Sequence, residues 1–261
     1  MAPKRRALVA GNWKLHKDHR EAIHLVRDLG LRLQHVNLAN VEVAVHPPFT
    51  DLRSVQTVVE GDHLPISLGA QHCSAHERGA FTGEISAAML AKLETRYVLV
   101  GHSERRALYA MDDATVHATA RAVIAEGMVA VVCVGESVEV RADGRTDETL
   151  EAQVDAAIRG LEHLDDALVL AYEPIWAIGT GQAATPADAQ AACATIRSVV
   201  GSIAGNSVAN SVRVLYGGSV NAANSAELVA APDVDGLLVG GASLEASSFA
   251  DIVGAVVECY G

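Results

Sequence analysis

Short, almost wholly apolar runs recur along this 261-residue chain, each followed by a stretch with helical spacing, and that rhythm limits the possible folds more than any other feature. The runs span residues 7–10, 41–45, 66–70, 97–100, 129–134, 168–172, 212–216 and 236–239. They do not alternate apolar with polar, so they suit parallel strands covered on both faces. Helical patterns fall at 18–34, 86–94, 113–126, 147–164, 186–203, 221–229 and 246–257. Several begin well: Pro186 follows Thr185, and Asp147 with Glu148 places negative charge where a helix dipole favours it. Eight βα repeats in about 250 residues predict an α/β fold closed as a (β/α)8 barrel. A doubly wound sheet is the rival, disfavoured because no GxGxxG follows the first run. No linker divides the chain, and the polar stretch 201–211 reads as a long turn on the bottom face, so one domain is expected over 1–261.

Composition narrows the partners. A net charge of -12 argues against a nucleic acid, whose phosphates would be repelled, although a small anion could still be held by a local positive field. No apolar run reaches the roughly 18 residues needed to cross a bilayer. The opening MAPKRRALVAGNWK breaks at Gly11 and Asn12, too soon for a signal peptide, so a cytoplasmic protein without membrane contact is expected. Cys73, Cys133, Cys193 and Cys259 form no CxxC pair and suit reduced thiols.

In such a barrel the residues following each strand build the site. Polar residues gather there: Asn12 and Lys14 after the first, Gln71 after the third, and His102 to Arg106 after the fourth. Cys133 and Glu136 follow from the fifth and Glu173 from the sixth. The seventh leads to Gly217-Gly218-Ser219 and the eighth to Gly240-Gly241. Glycines near helix starts can bring N–H groups against a phosphate, though any one pair could equally make only a tight turn. Two such pairs on consecutive strands, with Gly179 near, favour phosphate.

Pro174 holds Glu173 at a strand rim, since proline cannot extend a ladder and restricts the preceding residue to extended geometry. Pro174, Ile175, Trp176, Ala177, Ile178, Gly179 and Thr180 then read as a flap able to close over a small ligand, or else as an ordinary loop with Trp176 packed down. Asn12 and Lys14, two apart in an extended segment, would point the same way. His102 stands at a helix start whose positive end disfavours imidazolium and keeps the ring a neutral donor. The other histidines are placed at solvated positions without a role. Glu173 as base, His102 as donor and Lys14 as countercharge suit removal of a proton α to a carbonyl and its return one carbon along. Metal-ligand and nucleotide motifs are missing from the sequence, so cofactor-free chemistry is expected.

The segments GNWK (11–14), GHSERR (101–106), AYEPIWAIGTG (171–181) and YGGSV (216–220) together resemble the triosephosphate isomerase family, in its order and from first strand to last. That resemblance implies a TIM barrel and a substrate-binding role for Asn12 and Lys14. It makes His102 the electrophile, Glu173 the base, and Gly179, Ser219, Gly240 and Gly241 the phosphate holders. It further implies that Glu104 orients the lysine and that Cys133 is a buried structural thiol. The implied reaction interconverts dihydroxyacetone phosphate and D-glyceraldehyde 3-phosphate through an enediol(ate), in glycolysis and gluconeogenesis. Residues 71–84 are similar to the family's long third loop, which implies a homodimer with Thr82 reaching toward the partner's site. His72-Cys73 departs from the Asn or Asp more usual after the glutamine, which touches loop packing rather than chemistry. Leu15 replaces a commoner Met at similar volume.

Two alternatives stay open at this level. An isomerase of a longer phosphorylated ketose, such as erythrulose phosphate, would need the same residues. A catalytically silent barrel would be expected to lack Lys14, His102 or Glu173, and all are present.

Overall fold

The apolar runs form parallel strands that close on themselves. The computed structural model describes residues 5–178 and 184–261. Among these the strands are β1 (Ala7–Asn12), β2 (Val41–His46), β3 (Ser67–Ala70), β4 (Tyr97–Val100), β5 (Val129–Val134), β6 (Leu168–Tyr172), β7 (Arg213–Tyr216) and β8 (Gly236–Val239). They pair in sequence order, and β8 returns to β1 with Leu8 opposite Gly236. Around them run α1 (His19–Leu33), α2 (Leu52–Gly61), α3 (Ala87–Ala91), α4 (Ser103–Tyr109), α5 (Asp113–Ala125), α6 (Val138–Ala142) and α7 (Thr146–Ile158). The ring is completed by α8 (Leu164–Ala167), α9 (Pro186–Ala204), α10 (Asn206–Ser211), α11 (Ala222–Val229) and α12 (Ala246–Tyr260). The architecture is a TIM barrel, an eight-stranded closed parallel sheet sheathed by helices.

The near-continuous hydrophobicity of the strands has a direct cause: both faces are buried. Alternate residues, among them Leu8, Ala10, Ala44, Leu99, Val131, Val169 and Leu215, fill the barrel interior. Their neighbours, such as Val9, Val43, Val98, Val132 and Leu170, pack under the helices. At the bottom of the barrel, Glu42 is paired rather than left as a lone buried charge. Arg213 reaches it at 3.1 Å and Arg96 at 3.1 Å, while Arg213 also donates to the Tyr97 hydroxyl at 2.9 Å. Desolvation is the largest influence on the Glu42 carboxyl and pushes it up, but the Tyr97 and arginine contacts outweigh it and leave it below its ordinary value.

Several local expectations need correcting. Residues 201–211 are not one long turn: α9 runs through Ala204, Gly205 breaks it with φ 88°, and α10 follows at once. The helix expected over 147–164 stops at Ile158, before Gly160 with φ 80°. An unexpected helix, α2, joins β2 to β3 and buries Leu52, Val55 and Val58 along one face. β1 extends two residues past the expected end, so that Asn12 pairs with His46 as a strand residue.

Candidate functional site

The polar strand ends surround one cavity of about 280 Å³ at the C-terminal face of the barrel, lined by Asn12, Lys14, His102 and Glu173 together with residues 217–221, Gly240 and Gly241. Its construction follows from local chain geometry. β4 stops at Val100, Gly101 turns with φ 73°, and His102 becomes the N-cap of α4. The His102 Nδ1 accepts the Glu104 N–H at 3.2 Å, so the lone pair is on Nδ1 and the ring proton on Nε2. With Nδ1 used as an acceptor, Nε2 is the ring nitrogen that carries an N–H toward the cavity.

That Nε2 lies 3.1 Å from Oε1 of Glu173, yet without the alignment of a hydrogen bond, and Oε1 has no hydrogen-bond partner among the described residues. The other carboxylate oxygen, Oε2, accepts the Ser103 N–H at 2.8 Å, at the positive end of α4. Glu173 is 2% exposed. A desolvated carboxylate with one oxygen held and the other free is the arrangement a proton acceptor needs.

Lys14 reaches the cavity by a different route from the one its spacing implied. Its φ is 52°, a left-handed conformation, so the segment is not extended at this point. Its N–H donates to Asn12 Oδ1 at 3.0 Å. The Gln71 amide donates to the carbonyls of Lys14 at 2.8 Å and His46 at 2.9 Å. These bonds over-determine a strained backbone, as functional sites commonly do. The Lys14 ammonium sits 2.6 Å from Glu104 Oε1. Cys133 faces the barrel interior beside Glu173, and burial, then the Glu173 charge, raise its thiol well above the ordinary value.

On the far turns, the Asn221 side chain caps α11 by accepting from Ala223 and Asn224, and Gly241 opens a 3-10 turn over Gly241–Leu244. Among the described residues the N–H groups of Gly218, Ser219 and Val220 donate to no protein acceptor. A Cβ on Gly218 would fall 2.2 Å from the Tyr216 hydroxyl, which explains why only glycine fits there. The Ser219 hydroxyl donates to Ala177 O at 3.1 Å. Pro174, Ile175, Trp176, Ala177 and Ile178 are seen leaving the rim, Ile175–Ala177 as a 3-10 turn and Ile178 against the cavity. Gly179 and Thr180 lie outside the described residues. Thr82 sits apart, exposed on the arm between β3 and α3, where the His76 ring stacks on Phe81 at 3.8 Å.

Residues 7–256 match the family model described as triosephosphate isomerase. The chain is 53% identical over 249 residues to the triosephosphate isomerase of Nocardia farcinica, covering 95% of each chain. To that of Rhodococcus jostii it is 51% identical, again over 95% of each, and to that of Corynebacterium glutamicum 50% over 95% of this chain and 96% of the other. This chain belongs to the triosephosphate isomerase family.

As a member of the triosephosphate isomerase family the chain also holds features that its motifs did not disclose. Gln71 was noticed only as a polar strand end, and its hold on Lys14 depends on a contact 57 residues away in sequence. The placing of all remaining histidines in solvent is wrong for His46, His72 and His117, the last half-buried on α5 with its Nδ1 3.1 Å from Ala157 O. His46 is fully buried at the end of β2, its Nδ1 3.3 Å from Gly11 O, and desolvation pushes it down to about 4. His72 is likewise lowered to about 4 by burial and then by Arg105. His16 borders the cavity. The departure at His72-Cys73 leaves the arm packed: Cys73 is buried, its thiol raised to about 12, mainly by desolvation. Among the described residues no three His, Cys, Asp or Glu side chains are grouped as metal ligands, and no helix is long and apolar enough to cross a membrane.

Proposed function

We propose that this chain interconverts dihydroxyacetone phosphate and D-glyceraldehyde 3-phosphate by proton transfer through an enediol(ate). The observation that carries the reading is the convergence of Lys14, His102 and Glu173 on one cavity beside the N–H groups at 218–220, which have no acceptor among the described residues. Asn12, Lys14, Gly179, Ser219, Gly240 and Gly241 bind the substrate, the phosphate lying at the glycine turns. Glu173 removes a proton from the carbon next to the carbonyl. His102 donates its Nε2–H to the carbonyl oxygen, and Lys14 offsets the negative charge that develops there. The same carboxylate returns the proton to the neighbouring carbon, while His102 Nε2, having given its proton to the first oxygen, takes the hydroxyl proton from the second, so protons balance and no redox partner is needed. Glu104 orients Lys14, Cys133 packs beneath the base, and segment 174–180 excludes water from the intermediate.

The reading extends to the whole protein, one barrel domain over 1–261 acting in the cytoplasm as a homodimer, with a small phosphorylated triose as its partner. Dimerisation is supported by apolar side chains left in solvent, Leu15 at 94% and Leu108 at 75% exposed. Leu15, Phe49, His72, Arg105 and Tyr109 line a groove of about 480 Å³ next to Lys14, into which Thr82 of the partner subunit would reach. Four free thiols, three of them buried, suit a reducing compartment.

Steady-state kinetics test the assignment. Glu173→Gln should lower turnover by about 10² to 10⁴, the range for a positioned general base, with the fold intact. Near-normal isomerisation by that variant would remove Glu173 from its role. A coupled assay comparing D-glyceraldehyde 3-phosphate with erythrulose phosphates separates this reaction from that of the longer ketoses.

A further inference from the structure

The chain leaves β6 through Pro174, makes the 3-10 turn Ile175–Ala177 and joins α9 at Pro186. Arg141, on the short helix α6, touches both ends of that stretch. Its guanidinium carbon stands 4.3 Å from the centre of the Trp176 ring, and its Nη2 donates to Asp188 Oδ1 at 2.9 Å. The second Asp188 oxygen accepts the Thr185 N–H at 3.1 Å and its hydroxyl at 2.8 Å, closing the capping box of α9. On the near side Trp176 donates from Nε1 to Glu136 Oε1 at 2.8 Å, an oxygen that also accepts the Tyr172 hydroxyl at 3.0 Å. The Arg141 Nη1 lies 3.9 Å from it. The Glu136 side chain is wholly buried, and its Oε2 has no hydrogen-bond partner among the described residues.

Resting on the isomerase reading, we propose that Arg141 is a positioning residue for that reaction. By stacking on Trp176 while holding Asp188, it sets the separation between the two ends of the chain that follows Glu173. A planar guanidinium can cover an indole with its face and donate from its edge at the same time, whereas an ammonium cannot. Holding Trp176 and Asp188 in this way keeps Ile178, two residues beyond Trp176, against the cavity before substrate arrives. Arg141 is itself 37% exposed, its pair with Asp188 is partly exposed, and it stands 3.9 Å from Glu136 without a hydrogen bond, so its contribution to global stability is small. A merely structural arginine would instead lose stability and activity together.

The test combines kinetics on D-glyceraldehyde 3-phosphate with acrylamide quenching of tryptophan fluorescence. The chain has two tryptophans and Trp13 is fully buried, so quenching reports on Trp176. Arg141→Met should reduce kcat/KM by about tenfold and increase quenching, with the unfolding midpoint nearly unchanged. Arg141→Lys should not recover the loss. Asp188→Asn should cause a smaller loss, and the Arg141→Met/Asp188→Asn pair should be no worse than Arg141→Met alone. The proposal is overturned if Arg141→Met keeps kcat/KM within about twofold of the parent with unchanged quenching, if the two single losses multiply, or if activity falls only as far as stability does. Should Arg141→Met not fold, parent-like kinetics and quenching in Arg141→Lys overturn it equally. A parent protein that isomerises no triose phosphate would defeat the assigned reaction, while the quenching comparison would still judge Arg141.

Discussion

At the scale of single residues, the site is set by which atoms are already engaged. One Glu173 oxygen is occupied by the Ser103 N–H and the other has no hydrogen-bond partner among the described residues, and His102 has its acceptor nitrogen used by Glu104 N–H. Each group therefore presents one atom to the cavity, Oε1 of Glu173 and Nε2 of His102. Lys14 depends on Glu104 in the same way, through a pair whose acidic partner is 46% exposed. Such a pair contributes at most about 1 kcal/mol to stability, so its importance is orientation. Glu104→Gln is expected to reduce kcat/KM on the order of tenfold, as misplacement of a charged group does, with little movement of the melting temperature. A large loss of stability with unchanged kinetics would refute that division. The sequence disclosed the identity of these residues through their position after strands. It did not disclose the left-handed turn at Lys14, because a lysine carries no local signal for positive φ and the turn is held by distant Gln71.

At the scale of elements, the strand ends have to approach one another closely to bring the groups together. One tight approach is between the end of β5 and the end of β6, where a Cβ on Gly135 would stand 1.7 Å from the Glu173 carbonyl oxygen. Gly135→Ala must therefore push Glu173 away, since the obstacle is backbone and cannot rotate aside. Overpacking of this kind costs about 1–3 kcal/mol, and a base displaced by about 1 Å can lose 10²-fold in rate. Melting curves and kcat measured on the same preparation check both parts; parent-like turnover would show that the rim accommodates the methyl group. Helix starts such as Thr185-Pro186 were legible because capping chemistry is local. The α9–α10 break was not, because a stretch rich in Gly, Asn and Ser reads the same in a turn or in a short helix supported by neighbours.

At the scale of the whole molecule, burial changes the response to acid. His46 has an ordinary value of 6.5 and is pushed down to about 4 in the folded protein, so the unfolded chain binds more protons between those limits. Stability is full above about pH 6.5 and is lost as pH falls toward about 4, by on the order of 3 kcal/mol for this one ring. His72 acts in the same direction. Urea unfolding at pH 7.5 and pH 5 (about one unit above and between the two limits) should show a smaller acid penalty in His46→Leu than in the parent; equal penalties would remove His46 as a source. Assembly is the other property of this scale. Leu15→Asp places charge in the apolar groove beside Lys14 and should shift sedimentation toward monomer, with reduced activity; an unchanged oligomer would exclude that face as the interface.

The order of strands, their parallel burial on both faces and the residue types at their ends were written in the sequence, because periodicity, caps and strand-end polarity are local properties of a chain. Contacts across the barrel needed the tertiary structure: the hold on Glu173 by the N–H of Ser103, 70 positions distant, the burial of His46, and the bridge from Arg141 to both Trp176 and Asp188. Each of these depends on how closely separate βα units approach once the sheet closes, and that distance is a property of packing rather than of any single stretch of residues.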